Sequence, residues 1–320
     1  MSDSFTLRSK QKALWLWRRA RTKYPQLGTL RHGVKSVTVR STQRLATRQA
    51  RSDTSVNPAN ITWIFCVGRS GSTWLSDMMG ELSGHKIWME PGIGELFGEF
   101  YANTPKWKRD SANFIMGAPT RKAWISSIRN FVLVGAQHAF PLLHSEHHLF
   151  IKDVNGGVGA PLLMEALPES RMILLIRDPR DIAASWLDGA SEGGWKRRTA
   201  KSPSRDIRKL ARNYLNNLQM AKQAYDDHRG PKTLVLYEDL RVDTLGVMKR
   251  LYSDLGMEVD DTQLARAVEK YAWENIPEDM KGEGKFFRKA SPGGWCEDLT
   301  PEQAEIVERI TAPVLAEFYA

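Results

Sequence analysis

A short apolar run, Ile61-Thr62-Trp63-Ile64-Phe65-Cys66-Val67, passes without a break into Gly68-Arg69-Ser70-Gly71-Ser72-Thr73-Trp74, and helical spacing follows over 75–82. No other feature limits the fold as much. A strand apolar at almost every position is one buried on both faces, as strands are in a parallel sheet. A small-residue loop between such a strand and a helix leaves backbone N–H groups at the positive end of the helix dipole, so the unit suits an anion. Ser72 and Thr73 add hydroxyl donors, and Arg69 adds a fixed charge. On this segment alone, an ordinary glycine turn is the alternative. The Gly-Lys-Ser/Thr ending of a Walker A loop is missing, which counts against an ordinary nucleotide kinase.

Further apolar runs at 148–151, 172–176 and 233–237 alternate with helical spacing over 121–140, 179–187, 204–227 and 243–255. That alternation predicts an α/β fold of three layers, α/β/α, around a central parallel sheet. Thr300, Pro301 and Gln303 have the pattern of a capping box at the start of a last helix. Two cysteines, Cys66 and Cys296, make no disulfide framework in 320 residues.

The net charge of +9 is unevenly spread. Residues 1–60 carry 13 Lys and Arg against two acids, leaving 33 basic and 35 acidic groups in 61–320. The chain therefore reads as a basic extension, 1–60, and a nearly neutral body, 61–320. Such a body without basic stripes argues against a nucleic-acid partner. Within the extension, Ala13-Leu14-Trp15-Leu16-Trp17 precedes Arg18-Arg19-Ala20-Arg21. Residues 13–21 could make a peripheral membrane contact as an interfacial helix, or could be a solvated tail or a helix packed on the body. An Arg-rich, Ser-rich, acid-poor segment also has the composition of a transit peptide. No apolar run reaches 18 residues, so no membrane-spanning helix is expected and a cytoplasmic setting is.

A second segment strengthens the anion-site reading. The buried strand Arg171–Ile176 leads into Arg177-Asp178-Pro179-Arg180-Asp181-Ile182-Ala183-Ala184-Ser185-Trp186. With Asp178 as N-cap and Pro179 in the first turn, Arg177 stands at the carboxyl edge of the sheet, where open α/β sheets bind ligands. Ser185 lies about two helical turns further on, so both side chains can reach one phosphate.

These two segments resemble the signature motifs of sulfotransferases that use 3′-phosphoadenosine 5′-phosphosulfate (PAPS). Val235-Leu236-Tyr237-Glu238-Asp239-Leu240 is similar to the family's strand-ending "YEDL", and Phe287-Arg288-Lys289-Ala290-Ser291-Pro292-Gly293-Gly294-Trp295 to its C-terminal Arg-Lys-Gly loop. The resemblance spans roughly 61–318 and implies a P-loop-like sulfotransferase fold that needs no metal. It implies that Arg69, Ser70, Gly71, Ser72, Thr73 and Trp74 hold the 5′-phosphosulfate end. Arg177, Ser185, Arg288 and Lys289 would hold the 3′-phosphate, with Trp74, Trp273 and Tyr237 around the adenine. Arg69 stands where cytosolic phenol and steroid enzymes carry Lys, which points toward carbohydrate-modifying and bacterial members. Ala290 replaces the glycine of the C-terminal loop.

Sulfuryl transfer needs a base for the acceptor proton and cations for the leaving phosphate. Glu90, in Lys86-Ile87-Trp88-Met89-Glu90-Pro91, stands where carbohydrate and bacterial members have their base; a solvated strand-end Glu is the alternative. Cytosolic members use a His in a Lys-Thr-His segment. The matching stretch is Lys152-Asp153-Val154, so Lys152 is kept, the His is absent and Asp153 is the fallback base. Lys152 and Arg69 would steady the departing phosphate, although a strand-end Lys often lies at the surface. His138, His144, His147 and His148 lack ligand-spaced Cys or acids and are read as a solvated connection rather than a metal site. The acceptor is expected to be a hydroxyl or amine, on an anionic carbohydrate or glycolipid, recognised by segments 92–147 and 187–205. A phosphoryl-transferring kinase and a non-catalytic nucleotide-binding protein are the rival functions.

Overall fold

Every strand of the central sheet runs in one direction, so every connection is a crossover that covers a face. The computed structural model describes residues 56–192, 194 and 206–319. The basic extension up to Ser55, with its 13–21 patch, lies outside the described residues, as does all of 195–205. In chain order the elements used below are β1 (Ile61–Cys66), α1 (Ser72–Gly80), β2 (His85–Met89), α2 (Arg121–Ala139), β3 (His148–Val154) and α3 (Ala160–Ala166). They continue as β4 (Arg171–Ile176), α4 (Pro179–Gly189), α5 (Ile207–Asp227), β5 (Lys232–Leu236), α6 (Tyr237–Val242), α7 (Thr244–Asp254), α8 (Asp261–Lys270) and α9 (Pro301–Phe318). The strand order is β2-β3-β1-β4-β5, all parallel.

Side-chain alternation builds the three layers. Ile64, Phe150, Ile173, Leu175 and Val235 face one way and share a core with Leu75 and Met78 of α1, Leu251 of α7 and Leu264 of α8. Trp63 and Phe65, fully buried and stacked at 5.7 Å, face the other way, where α5 packs on β1 and β4 and α9 packs on α5. Each such side chain removed from water contributes about 1.5–3 kcal/mol, which explains why β1 must be apolar on both faces. Among the described residues, no helix is long and apolar enough to cross a membrane.

Several expected boundaries shift, each for a local reason. The apolar run of β3 stops at Ile151, yet the strand continues to Val154, because Lys152 and Asp153 pair with Ile64 and Phe65 of β1. Tyr237, expected to end β5, instead opens α6, whose first turn carries Glu238 and Asp239 at the positive end of its dipole. Helix α5 begins at Ile207 because Asp206 caps it, accepting from the amides of Arg208 and Lys209. Thr300 and Gln303 form the expected reciprocal capping box of α9. Residues 56–60 are tied to the body: Val56 is buried, Arg171 donates to the Ala59 carbonyl, and Asn60 donates to the Ser145 carbonyl at 2.7 Å.

Candidate active site

β1 delivers the chain to the carboxyl edge of the sheet, and the next four residues reverse it into α1. Both the amide and the hydroxyl of Ser70 donate to the Val67 carbonyl, which closes the turn. Arg69 and Gly71 take left-handed backbone angles, φ 77° and 86°. At Gly71 a β-carbon would stand 2.6 Å from the Tyr237 ring, so both angle and space require glycine. The first α1 hydrogen bond joins the Leu75 amide to the Gly71 carbonyl at 3.1 Å; the amides ahead of Leu75 are those a helix leaves without an intrahelical acceptor.

Lys152 shares the α1 face of β3 with Phe150, and its side chain is only 1% exposed. Its Nζ donates to Glu90 Oε1 at 2.6 Å and to Thr73 Oγ1 at 3.2 Å. It is therefore a buried cation at the loop and not a surface lysine. Its carboxylate partner is 59% exposed. Glu90 sits just past β2 with φ 51°, held by its amide on the Lys152 carbonyl at 2.8 Å. The carboxylate is thus open to solvent on one side and tethered to a buried ammonium on the other.

Asp153 points to the opposite face, as strand alternation demands. Its carboxylate accepts from the amides of Gly92 (3.2 Å) and Gly94 (2.6 Å), and it does not line the cavity that holds Glu90. Burial pushes its carboxyl up to about 6, against the pull of those two amides. Asp153 thus anchors the 91–94 turn. Asp153→Asn would set an amide N–H against a backbone N–H, so we expect stability to fall by about 1–3 kcal/mol in urea denaturation, with turnover less affected than by Glu90→Gln.

Asp178 caps α4, accepting from the Arg180 amide at 2.8 Å, and this leaves Arg177 at the sheet edge. Arg177 donates to the Arg69 carbonyl at 2.9 Å and lies 4.3 Å from the Tyr237 ring centre. Arg69 donates to Ser185 Oγ at 2.9 Å and to the Phe286 carbonyl at 2.6 Å. Burial and the nearby charges of Arg177 and Arg288 push the Arg69 guanidinium down to about 10. Three guanidinium groups crowded together favour an anion, although Arg177 and Arg288 each also have a carboxylate nearby.

One cavity of about 320 Å³ gathers these groups. All the expected site residues line it except Ser70, whose polar groups are spent within its own turn. The 3₁₀ turn holding Trp273 and the 286–290 loop form its far wall. Trp74 meets Tyr237 edge-on at 6.4 Å, and its indole N–H donates to the Tyr271 carbonyl at 2.8 Å. Arg288 and Lys289 pair with Asp298 at 2.6 and 2.9 Å. Ala290 keeps a glycine-like φ of 50°. Sequence reasoning missed the residues that set this wall in place. Asp181, fully buried, accepts from the amides of Gly293 and Trp295 and lies 3.7 Å from Arg177. Asn155 and Trp186 both bond to Gly68; neither carried a signal. Among the described residues, no group of three or more His, Cys, Asp or Glu is placed to hold a metal ion. His148 is part of β3, its ring 5.6 Å from that of His85.

A family profile described as "Sulfotransferase family" matches residues 62–261. No curated protein matches the chain by sequence. Among solved structures, a mouse sulfotransferase, SULT7A1, complexed with PAP is similar with a TM-score of 0.51 at 14% identity, over 82% of this chain and 85% of its own. Sulfotransferase STF9 from Mycobacterium avium is similar with a TM-score of 0.54 at 13% identity, over 88% and 81%. At such identities the likeness is one of fold, the parallel sheet flanked by helices.

Proposed function

The chain belongs to the sulfotransferase family, and on that premise we propose that it moves a sulfuryl group from PAPS to a hydroxyl or amine of a carbohydrate-type acceptor. The observation that carries this reading is the cluster of Lys152, Glu90 and Thr73 on the wall of a cation-rich cavity. The α1 amides with Thr73 bind the 5′-phosphosulfate end, and Lys152 faces the oxygen between sulfur and phosphorus. Arg177, Ser185 and Arg288 bind the 3′-phosphate, while Trp74, Tyr237 and Trp273 provide flat apolar walls for the purine.

Glu90 accepts the proton of the acceptor as its oxygen or nitrogen bonds to sulfur. As that bond forms, the bond from sulfur to the bridging oxygen breaks. Lys152 and Arg69 stabilise the charge left on the departing phosphate. The products are the sulfated acceptor, the proton held by Glu90, and 3′-phosphoadenosine 5′-phosphate (PAP). All the charge stabilisation in this scheme comes from side chains and amides of the chain itself.

The test is binding of PAP by calorimetry in the presence of a chelator. We expect low-micromolar affinity or better. Arg177→Ala and Ser185→Ala should each weaken it, the former by more than about tenfold, the usual worth of a charge-assisted phosphate contact. Adenosine 5′-phosphosulfate, which lacks the 3′-phosphate, should bind poorly. Equal affinity for ligands with and without that phosphate would remove the basis of the assignment.

A further inference from the structure

Beside the donor cavity lies a second one of about 460 Å³, and the two share Asn155 and Trp186 as a common wall. Its size falls within the range of small-molecule sites. Its other walls are the π-helical turn Glu95–Glu99 with Asn103 on one side and α4 and α5 on the other. The lining is polar in a particular way. Asn103, Asn213 and Asn216 each offer an amide, which can donate and accept at once, while Asn217 donates from Nδ2 to the Asn213 carbonyl at 3.0 Å. Asn217 has a buried Oδ1 with no partner among the described residues.

Glu95 and Glu99 add two carboxylates, and neither makes an ion pair among the described residues. The carboxyl of Glu95 is raised by partial burial and by the charges of Glu99 and Glu90. Paired amides and carboxylates fit vicinal hydroxyls, which donate to one group and accept from the next. A phenol or sterol would leave most of these groups unpaired. An acidic sugar would meet two like charges, and Lys209 is the single cation on the described lining.

We propose that this second cavity is the acceptor site and that it selects uncharged polyhydroxylated acceptors, with Glu95 and Glu99 reading vicinal hydroxyls and repelling acids. This rests on the sulfotransferase reading of the neighbouring cavity. It departs from an anionic carbohydrate, one of the acceptors expected above, because the described lining carries two carboxylates, four asparagines of the two walls and one lysine.

The experiment uses the full chain with PAPS and follows PAP release. The acceptors are a panel of neutral mono- and disaccharides, their uronic-acid counterparts, and 4-nitrophenol. The best neutral sugar should exceed its uronic acid in kcat/KM by about tenfold or more, the effect of a like charge brought beside the carboxylates. In the double variant Glu95→Gln and Glu99→Gln that ratio should fall to about threefold or less, with PAP affinity unchanged. The proposal is overturned if uronic acids or 4-nitrophenol are preferred, if the double variant leaves the ratio as it was, or if a protein that binds PAP turns over no sugar of the panel. Failure to bind PAP at all would instead strike the sulfotransferase reading, so the two can fail separately.

Discussion

Glu90→Gln should lower turnover by roughly 10² to 10⁴, the usual contribution of a positioned general base. The amide keeps the shape of the carboxylate but cannot take the proton. The geometry adds an effect on donor binding that shape alone would not suggest. Glu90 is the anionic partner of a buried ammonium, 2.6 Å from Lys152 Nζ. In the variant the amide oxygen can still accept from the ammonium, as can the Thr73 hydroxyl, but no negative charge remains beside it. An incoming phosphate then becomes its best partner, so PAP should bind at least as tightly as before and raise the melting temperature of the variant by more than it raises that of the parent. Steady-state rates and thermal shifts with and without PAP check both halves. Near-normal turnover in this variant, with loss of activity in Asp153→Asn beyond its loss of stability, would move the base to Asp153.

Lys152→Met should separate activity from stability in the opposite sense. Replacing a buried charge by an apolar side chain of similar length removes a desolvation cost, and such exchanges are often neutral or stabilising. The Glu90 carboxylate left behind is more than half exposed, so water can solvate it. The folded protein should therefore lose nothing in urea denaturation. Turnover should nevertheless drop by about 10² to 10³, the scale seen when one preorganised donor to developing charge is lost. PAP affinity should fall by roughly tenfold, since one charge-assisted contact to the 5′-phosphate disappears. A variant that is stable, binds PAP as well as the parent and turns over normally would show that the lysine serves only to hold Glu90.

Much of the fold was legible because it depends on local patterns. β1 and β4 declare themselves by apolar runs too long for a half-exposed strand, and each runs into a loop whose residue types have few uses. Asp178-Pro179 and Thr300-Pro301 mark helix starts through caps that need only adjacent residues. The π-helical turn at Glu95–Glu99 and the short helices after it carry no such pattern. Their backbone path is set by close packing, as where Gly98 meets the backbone of Val158 and Gly159. β3 reads as shorter than it is because Lys152 and Asp153 break its apolar run, and they are buried through partners distant in sequence: Glu90 and Thr73 for the one, the amides of Gly92 and Gly94 for the other.

By itself, the sequence determined which residue types could meet an anion, and that they would stand at the carboxyl ends of β1 and β4. Periodicity, caps and glycines act within a few residues of themselves, and a single chain records them directly. Only the tertiary structure decided which of two adjacent acidic or basic side chains faces which cavity. Lys152 turns toward α1 and Thr73, while Asp153 turns away to hold the 91–94 turn, because parallel pairing with β1 fixes the phase of the strand. The same is true of the second cavity. Glu95, Glu99 and the asparagines of α5 lie more than a hundred residues apart and carry no motif, and only the crossovers of the sheet bring them to one cavity.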